Sequence, residues 1–128
     1  MTKKELTKKI IELLTEGVPD VQWLEAVIGI RLGKGVVGTV ACDRVSFEYP
    51  SKDIIDATAV FTVVLIDVNG SEAMDDRAEQ VMKLLRANPT IDGAAIDSGV
   101  QRIIYGTPQG APKATAAEIT YEVLYDGT

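Results

Sequence analysis

Two segments of the chain place apolar residues at helical spacing. In the first segment, Thr2 followed by Glu5 fits the capping box that starts a helix, and Gly17 offers a left-handed cap before Pro19. The buried stripe of this first predicted helix consists of Leu6, Ile10, Leu13 and Leu14.

The second predicted helix follows the Asn69-Gly70 turn. Ser71 is the candidate N-cap, and Pro89 forces Asn88 out of helical geometry and ends the helix. Beyond it, Gly93 and Gly99 let the chain turn back toward the sheet. The buried stripe consists of Met74, Ala78, Val81, Met82 and Leu85.

Two further segments have the composition of strands. Between Val36 and Tyr49, apolar Val45, Phe47 and Tyr49 alternate with polar residues, which predicts a strand with one buried face that ends at Pro50. Ala57 to Val68 contains a continuous apolar run, which predicts a central strand covered on both faces.

Three more strands complete the predicted sheet. A weak strand is expected near Ala26 to Leu32, another from Val100 to Tyr105, and a last one from Ala117 to Tyr125. The predicted order is α-β-β-β-α-β-β. The sequence therefore predicts a single α+β domain over residues 1–128, with a mainly antiparallel sheet and two principal helices packed on it.

The charge balance excludes several functions. Nineteen acidic against thirteen basic side chains give a net charge of −6, so non-specific binding to nucleic acid is not expected.

The chain has no histidine, the commonest general base. With Cys42 as its one cysteine it forms no internal disulfide. Neither a signal peptide nor a membrane-spanning run is recognisable, so we expect a soluble intracellular protein.

Two apparent ligand motifs fail on their context. The segment 33–38 matches G-x-G-x-x-G, but it runs into a strand composition instead of a helix, so we interpret it as a glycine-rich turn. Asp67, Asn69 and Ser71 alternate like the start of a calcium loop, but the required glycine and glutamate are missing. We predict no metal and no cofactor.

The side chains that could take part in catalysis do not form a recognisable site in the sequence. Asp53 and Asp56 fall in a predicted loop, and Asp75 and Asp76 point in different directions from a helix start, so neither pair is a convincing metal site. Cys42 has no histidine partner, and we expect a small apolar role for it. We therefore predict no catalytic residues.

Trp23 and two flexible segments are candidates for protein contacts. Trp23 is compatible with an exposed interface anchor or with the core. The two segments are rich in glycine or proline and long enough to reach a neighbour. The predicted contact residues are Lys34, Gly35, Val36, Val37 and Gly38 in the first, and Thr107, Pro108, Gln109, Gly110, Ala111 and Pro112 in the second.

The order of elements from Phe61 to Tyr125 resembles small tail-completion proteins of long-tailed bacteriophages and prophages, the tail terminators above all. The resemblance is carried by "FTVVLIDVNG", "SEAMDDRAEQVMKLLRANPT", "VQRIIYG" and "AAEITYEVLY". It implies a ring, usually hexameric, that caps the tail tube, stops its growth and meets the head connector. The implied partners are other copies of the chain, the tail tube protein and the connector protein. The implied location is the head-proximal end of the virion tail, with the host cytoplasm during assembly.

Three alternatives remain open at this point. The first is another head-tail joining or minor capsid protein of a phage. The second is a small metal-dependent hydrolase that uses Asp53, Asp56, Asp75 or Asp76, and the third is a small-ligand-binding domain. No residue pattern in the sequence identifies which edge of the molecule would form a ring.

Overall fold

The computed structural model describes residues 1–25, 36–67, 73–107 and 113–128. These residues form two helices and a five-stranded sheet. In chain order the elements are α1 (Lys3–Gly17), β1 (Gln22–Glu25), β2 (Val36–Ser51), β3 (Ile54–Asp67), α2 (Met74–Ala87), β4 (Asp97–Gly106) and β5 (Thr115–Asp126).

The spatial order of the strands is β1-β2-β3-β5-β4. β1 runs parallel to β2, and every other neighbouring pair is antiparallel. The predicted α+β class and the order α-β-β-β-α-β-β are confirmed, and β3 is the central strand as expected. The first strand lies at Gln22–Glu25, before the predicted segment, whose residues 26–32 lie outside the described part of the chain.

Both helices pack on the same face of the sheet, which we call the helix-covered face. Along β3 every second side chain from Ala57 to Leu65 is fully buried there, and these side chains belong to one core cluster with the buried residues of α1 and α2. The alternate side chains of β3 lie on the opposite, open face and are only half-buried. These open-face residues are Thr58, Val60, Thr62, Val64 and Ile66.

The prediction that β3 is covered on both faces was therefore wrong. Its apolar run from Val63 to Ile66 places Val64 and Ile66 on the open face, where no described helix lies over them. Strands on either side of β3 shield these side chains in part, because cross-strand neighbours on one face lie within roughly 5 Å of each other.

The indole of Trp23 packs in the core against β2, at a position where β2 has a glycine. Trp23 is 7% exposed, and its ring nitrogen donates a hydrogen bond to the carbonyl of Val18 at 3.0 Å. Gly38 stands beside Trp23 in the β1–β2 register. A Cβ atom at Gly38 would come within 2.3 Å of the indole ring. Trp23 is therefore a core residue, and Gly38 is required by its ring.

The helix ends agree with the sequence only in part. Thr2 and Glu5 form the predicted capping box of α1. Gly17 does not adopt the left-handed conformation, and the C-cap is Val18; a Cβ at Gly17 would instead lie 2.4 Å from Leu84 of α2. The N-cap of α2 is Ala73 and makes no side-chain capping hydrogen bond, whereas the predicted N-cap was Ser71, which lies outside the described residues.

The turn between α2 and β4 is left-handed over three successive residues. Ile91, Asp92 and Gly93 have φ values of 49°, 54° and 82°. A β-branched residue rarely adopts this conformation, but Ile91 is fully buried, so the core holds it in place. The predicted role of Gly93 as a turn glycine is confirmed, whereas Gly99 lies within β4 and has no positive φ.

A chain of hydroxyl groups ties this turn to the sheet. The buried Tyr121 hydroxyl donates to Ser98 Oγ at 2.8 Å, and Ser98 Oγ donates to the carbonyl of Pro89 at 2.7 Å. Burial raises the pKa of Tyr121, and the hydrogen bond to Ser98 opposes that shift. The phenol therefore stays protonated and able to donate at neutral pH.

We predict that Gly38→Ala destabilises the fold through overpacking. The added methyl group would collide with the Trp23 ring, and such insertions cost about 1 to 3 kcal/mol. Gly106→Ala is the matched control, because a Cβ there meets nothing within 4 Å. Urea unfolding should show a lower midpoint for the first variant alone, and equal midpoints would contradict the packing of Trp23 against Gly38.

We predict that Ser98→Ala destabilises the protein more than Tyr121→Phe. The phenylalanine variant loses one hydrogen bond, worth about 0.5 to 1.5 kcal/mol. The alanine variant removes the bond to the exposed Pro89 carbonyl and leaves the buried Tyr121 hydroxyl without its acceptor, at a cost of about 1 to 3 kcal/mol. In a double-mutant cycle of unfolding free energies, the double variant should lose less than the sum of the two. Strict additivity would show that the two hydroxyls are not coupled.

Candidate interaction surfaces

The first predicted contact segment is largely part of the sheet. Val36, Val37 and Gly38 are the first three residues of β2 and are buried, so the prediction that they form a flexible loop was wrong. Val36 and Val37, which precede Gly38, belong to the apolar strand pattern of β2. Lys34 and Gly35 lie outside the described residues.

The second predicted contact segment is described only at its start. Thr107 directly follows β4 and is exposed, while Pro108, Gln109, Gly110, Ala111 and Pro112 lie outside the described residues. The role of this segment in protein contacts stays a prediction.

The four carboxylates considered for a metal site lie in two separate places. Asp53 is in the turn between β2 and β3, and Asp56 is in β3 itself, which corrects its placement in a loop. Asp75 and Asp76 are exposed in the first turn of α2. In the described part of the chain, no three potential metal ligands come together.

The open face of the sheet is strongly acidic. The strand register, together with a hydrogen bond from the Thr62 hydroxyl to the bulged Asp43, places seven described carboxylates on this face against two guanidinium groups. The two basic residues are Arg44 and Arg102. The acidic residues are Asp43, Glu48, Asp56, Asp97, Glu118, Glu122 and Asp126.

Three of these carboxylates form a row across adjacent strands. Glu48 of β2 is opposite Asp56 of β3, which is opposite Asp126 of β5. Hydrogen bonds from the side chain and backbone of Thr128 lower the pKa of Asp126. Like charges at opposed positions repel, so this end of the open face presents a concentrated negative charge to solvent.

The other end of the open face is mainly apolar, with Glu118 as its one carboxylate among the described residues. A shallow depression of about 260 Å³ lies there between β3, β5 and β4. Ile104 of β4 is 48% exposed at its rim. The open face thus has a mainly apolar end and an end where carboxylates are concentrated.

The β2–β3 hairpin extends beyond the helices. The alternation of Phe47 and Tyr49 predicted a buried face, but these side chains are 52% and 69% exposed. The strand also continues through Pro50 to Ser51, so Pro50 does not end it. The alternation is real, but at this end of the hairpin the helix layer needed to bury it is missing among the described residues.

Two strand edges are unpaired within the described part of the molecule. β4 is the last strand of the sheet and pairs only with β5 along its length. β2 pairs with β1 from Val37 to Val40, and from residue 41 onward its described partner is β3 alone. Unpaired edges present backbone donors and acceptors that can bind another strand.

Cys42 lies on the helix-covered face of β2 and packs against the core as a partly buried residue, as expected of a small apolar side chain. Its thiol donates to the carbonyl of Arg44 at 3.6 Å. Burial is the largest influence on this group and raises the pKa of Cys42. The thiolate is the nucleophilic form, so the site disfavours a reactive cysteine.

We predict that Cys42 reacts with iodoacetamide more slowly in the folded protein than after unfolding. The raised pKa leaves less thiolate at pH 8, and partial burial limits access. The pH profile of the alkylation rate should lie at higher pH in the folded protein. A folded-state profile at lower pH than the unfolded one would contradict the assigned environment.

No helix in the described residues is long and apolar enough to cross a membrane.

No protein-family model matches the sequence, and no curated protein matches it.

Comparison with solved structures finds the same fold elsewhere. A chain from the virion of a native gene transfer agent (GTA) particle superposes with a TM-score of 0.52 at 12% sequence identity, covering 94% of this chain and 92% of that one. A second solved chain reaches a TM-score of 0.49 at 17% identity, covering 95% and 92%. Over 94% of its length, the chain therefore has a fold similar to that of a chain in this virion.

Proposed function

We propose that this protein is a structural component of a phage-type virion, and more specifically a tail terminator. In this role several copies form a ring, hexameric in the family that the sequence resembles, on the last layer of the tail tube. The ring stops tube polymerisation and offers its other side to the head connector. Other copies of the chain, the tube protein and the connector protein are its proposed partners.

The observation that carries the proposal is the whole-chain similarity of fold to a chain of a gene transfer agent virion. The alignment covers 94% of this chain and 92% of the other. The resemblance of the segment from Phe61 to Tyr125 to tail terminators rests on sequence features alone. The fold comparison supports the broader virion role independently.

The charge of the open face fits the inside of a ring through which DNA passes. Seven carboxylates against two guanidinium groups give this face an excess negative charge. A like-charged wall repels the phosphate backbone and lets DNA move without adhering. We therefore assign the open face to the lumen and the helices to the outside of the ring.

The positions of the carboxylates favour this role over a hydrolase. Asp53 and Asp56 lie on the β2–β3 hairpin, whereas Asp75 and Asp76 begin α2. The fold keeps the two pairs apart instead of assembling them into one site. The raised pKa of Cys42 also opposes a nucleophilic role for its thiol.

A head-tail joining protein is the second candidate function. It would use the same small fold and a ring around DNA, but it would dock on the head side of the connector. The acidic open face suits both roles, so the distinction depends on which assembly step fails without the protein.

We predict that particles assembled without this protein carry overlong tails. A terminator stops tube growth, so its removal should broaden the distribution of tail lengths in negative-stain electron micrographs. Restoring the wild-type chain should restore a single length. Tails of normal length that remain detached from heads would identify the joining role instead, and complete, infectious or transfer-competent particles would contradict both.

A further inference from the structure

We propose that neighbouring copies of this chain join edge to edge, with β4 of one copy pairing against the second half of β2 of the next. The proposal rests on the proposed ring and names the interface that builds it. It uses the two sheet edges that are unpaired among the described residues.

The strand directions permit this joint without any rearrangement. β2 is antiparallel to β3, β3 to β5, and β5 to β4, so β2 and β4 of one chain run in opposite directions. A rotation about an axis roughly parallel to the strands repeats the subunit head to tail and keeps these directions. It therefore sets β4 of one copy antiparallel to β2 of the next, and such heterologous contacts generate closed rings when the rotation closes.

The lengths of the two edges also match. β4 contains ten residues. β1 covers β2 only as far as Val40, so residues 41–51 of β2 are open to a second strand, and with Glu48 opposite Arg102 residues 44–51 face residues 99–106 of β4. The β1 strand of the receiving copy and the incoming β4 can then occupy successive parts of the same β2 edge.

The faces of the sheet restrict the register. After their bulges, Arg44, Ser46 and Glu48 of β2 lie on the open face, and so do Arg102 and Ile104 of β4. Pairing must keep open-face residues opposite open-face residues if the helices of adjacent copies are to remain on one side. Only every second antiparallel register satisfies this condition.

Charge selects one of the permitted registers. Setting Glu48 opposite Arg102 joins a carboxylate of the acidic row to one of the two guanidinium groups of the open face. Shifting by two positions would instead place Glu48 opposite Ile104 or Ser46 opposite Arg102, without an opposed ion pair. Opposite charges at facing positions stabilise a strand pair, and like charges oppose it.

The same register joins apolar side chains on the helix-covered face. Phe47 comes opposite Ile103, and Val45 opposite Tyr105. Phe47 and Tyr105 are 52% and 47% exposed in the single chain. Edge-to-edge pairing would therefore cover two large apolar side chains that are exposed in the single chain, together with the unpaired backbone groups of both edges.

Cysteine cross-linking tests this register directly. In a Cys42→Ala background, one preparation carries Glu48→Cys and the other Arg102→Cys, and the two full-length proteins are mixed at high concentration and oxidised. Opposed residues on neighbouring strands have Cβ atoms roughly 5 Å apart, close enough for a disulfide after small adjustment. We expect a disulfide-linked dimer that appears only in the mixture, and a ladder of higher multimers when one chain carries both cysteines.

The matched control replaces Arg102→Cys by Glu118→Cys. Glu118 is also exposed on the open face but lies one strand inward, on β5. Because a strand separates it from the edge, we expect about tenfold less dimer with Glu48→Cys. Equal yields in the two mixtures, or dimer from Arg102→Cys alone through β4–β4 pairing, would overturn the proposed joint. So would the absence of cross-linked dimer at every concentration.

A charge exchange gives a second readout in the wild-type cysteine background. Glu48→Arg alone and Arg102→Glu alone should each weaken self-association in sedimentation experiments, because each sets like charges opposite each other. The double exchange should restore association toward the wild-type level. Failure of the double exchange to recover, with all variants folded, would contradict the ion pair.

These outcomes can be separated from the test of the proposed function. If the cross-links form but particles assembled without the protein show no defect, the edge joint is retained and the tail role is rejected. Defective particles combined with no cross-link would retain the tail role and reject this interface.

Discussion

The register of β3 between β2 and β5 is the constraint on which the rest of the molecule depends. It places Phe61, Val63 and Leu65 beneath the two helices and Val64 and Ile66 on the open face. A slip by one residue would exchange the two sets and remove the large buried side chains of β3 from the core. The same register also aligns the carboxylates of the open face, so the core and the acidic surface are two results of a single pairing.

The open face and the free edges explain each other within the proposed ring. A five-stranded sheet with helices on one side leaves the other side and its outermost strands available. If edges join copy to copy, the open faces line a common interior and the helices stay outside. Binding through backbone edges requires no pocket, which agrees with a site that consists of exposed strand and surface charge.

Much of the fold could be predicted from sequence because it depends on local patterns. The capping box at Thr2 and Glu5 and the strand composition from Ala117 to Tyr125 are short-range signals, and the structure confirms both elements. The errors arose where burial depends on distant elements. Phe47 and Tyr49 alternate correctly but extend past the helices, and Gly17 serves the approach of Leu84 instead of a left-handed cap.

The candidate site was harder to predict for the same reason. The glycines near Val36, Val37 and Gly38 predicted a flexible loop, but Gly38 instead makes room for the ring of Trp23, 15 residues earlier in the chain. Whether a strand lies at the edge depends on the order of all strands in the sheet. No local pattern in the sequence of β4 indicates that β4 is the outermost strand. The acidic row required the register of three strands before Glu48, Asp56 and Asp126 could be recognised as neighbours.

Hydrogen–deuterium exchange of the assembled protein against the dilute single chain tests most directly whether this protein works through its sheet edges. The account predicts that assembly slows exchange at amides of β4 and of β2 from Arg44 to Ser51, while amides of the central β3 are slow in both states. Protection confined to the helices, or no change at either edge in a preparation shown to be assembled, would contradict it.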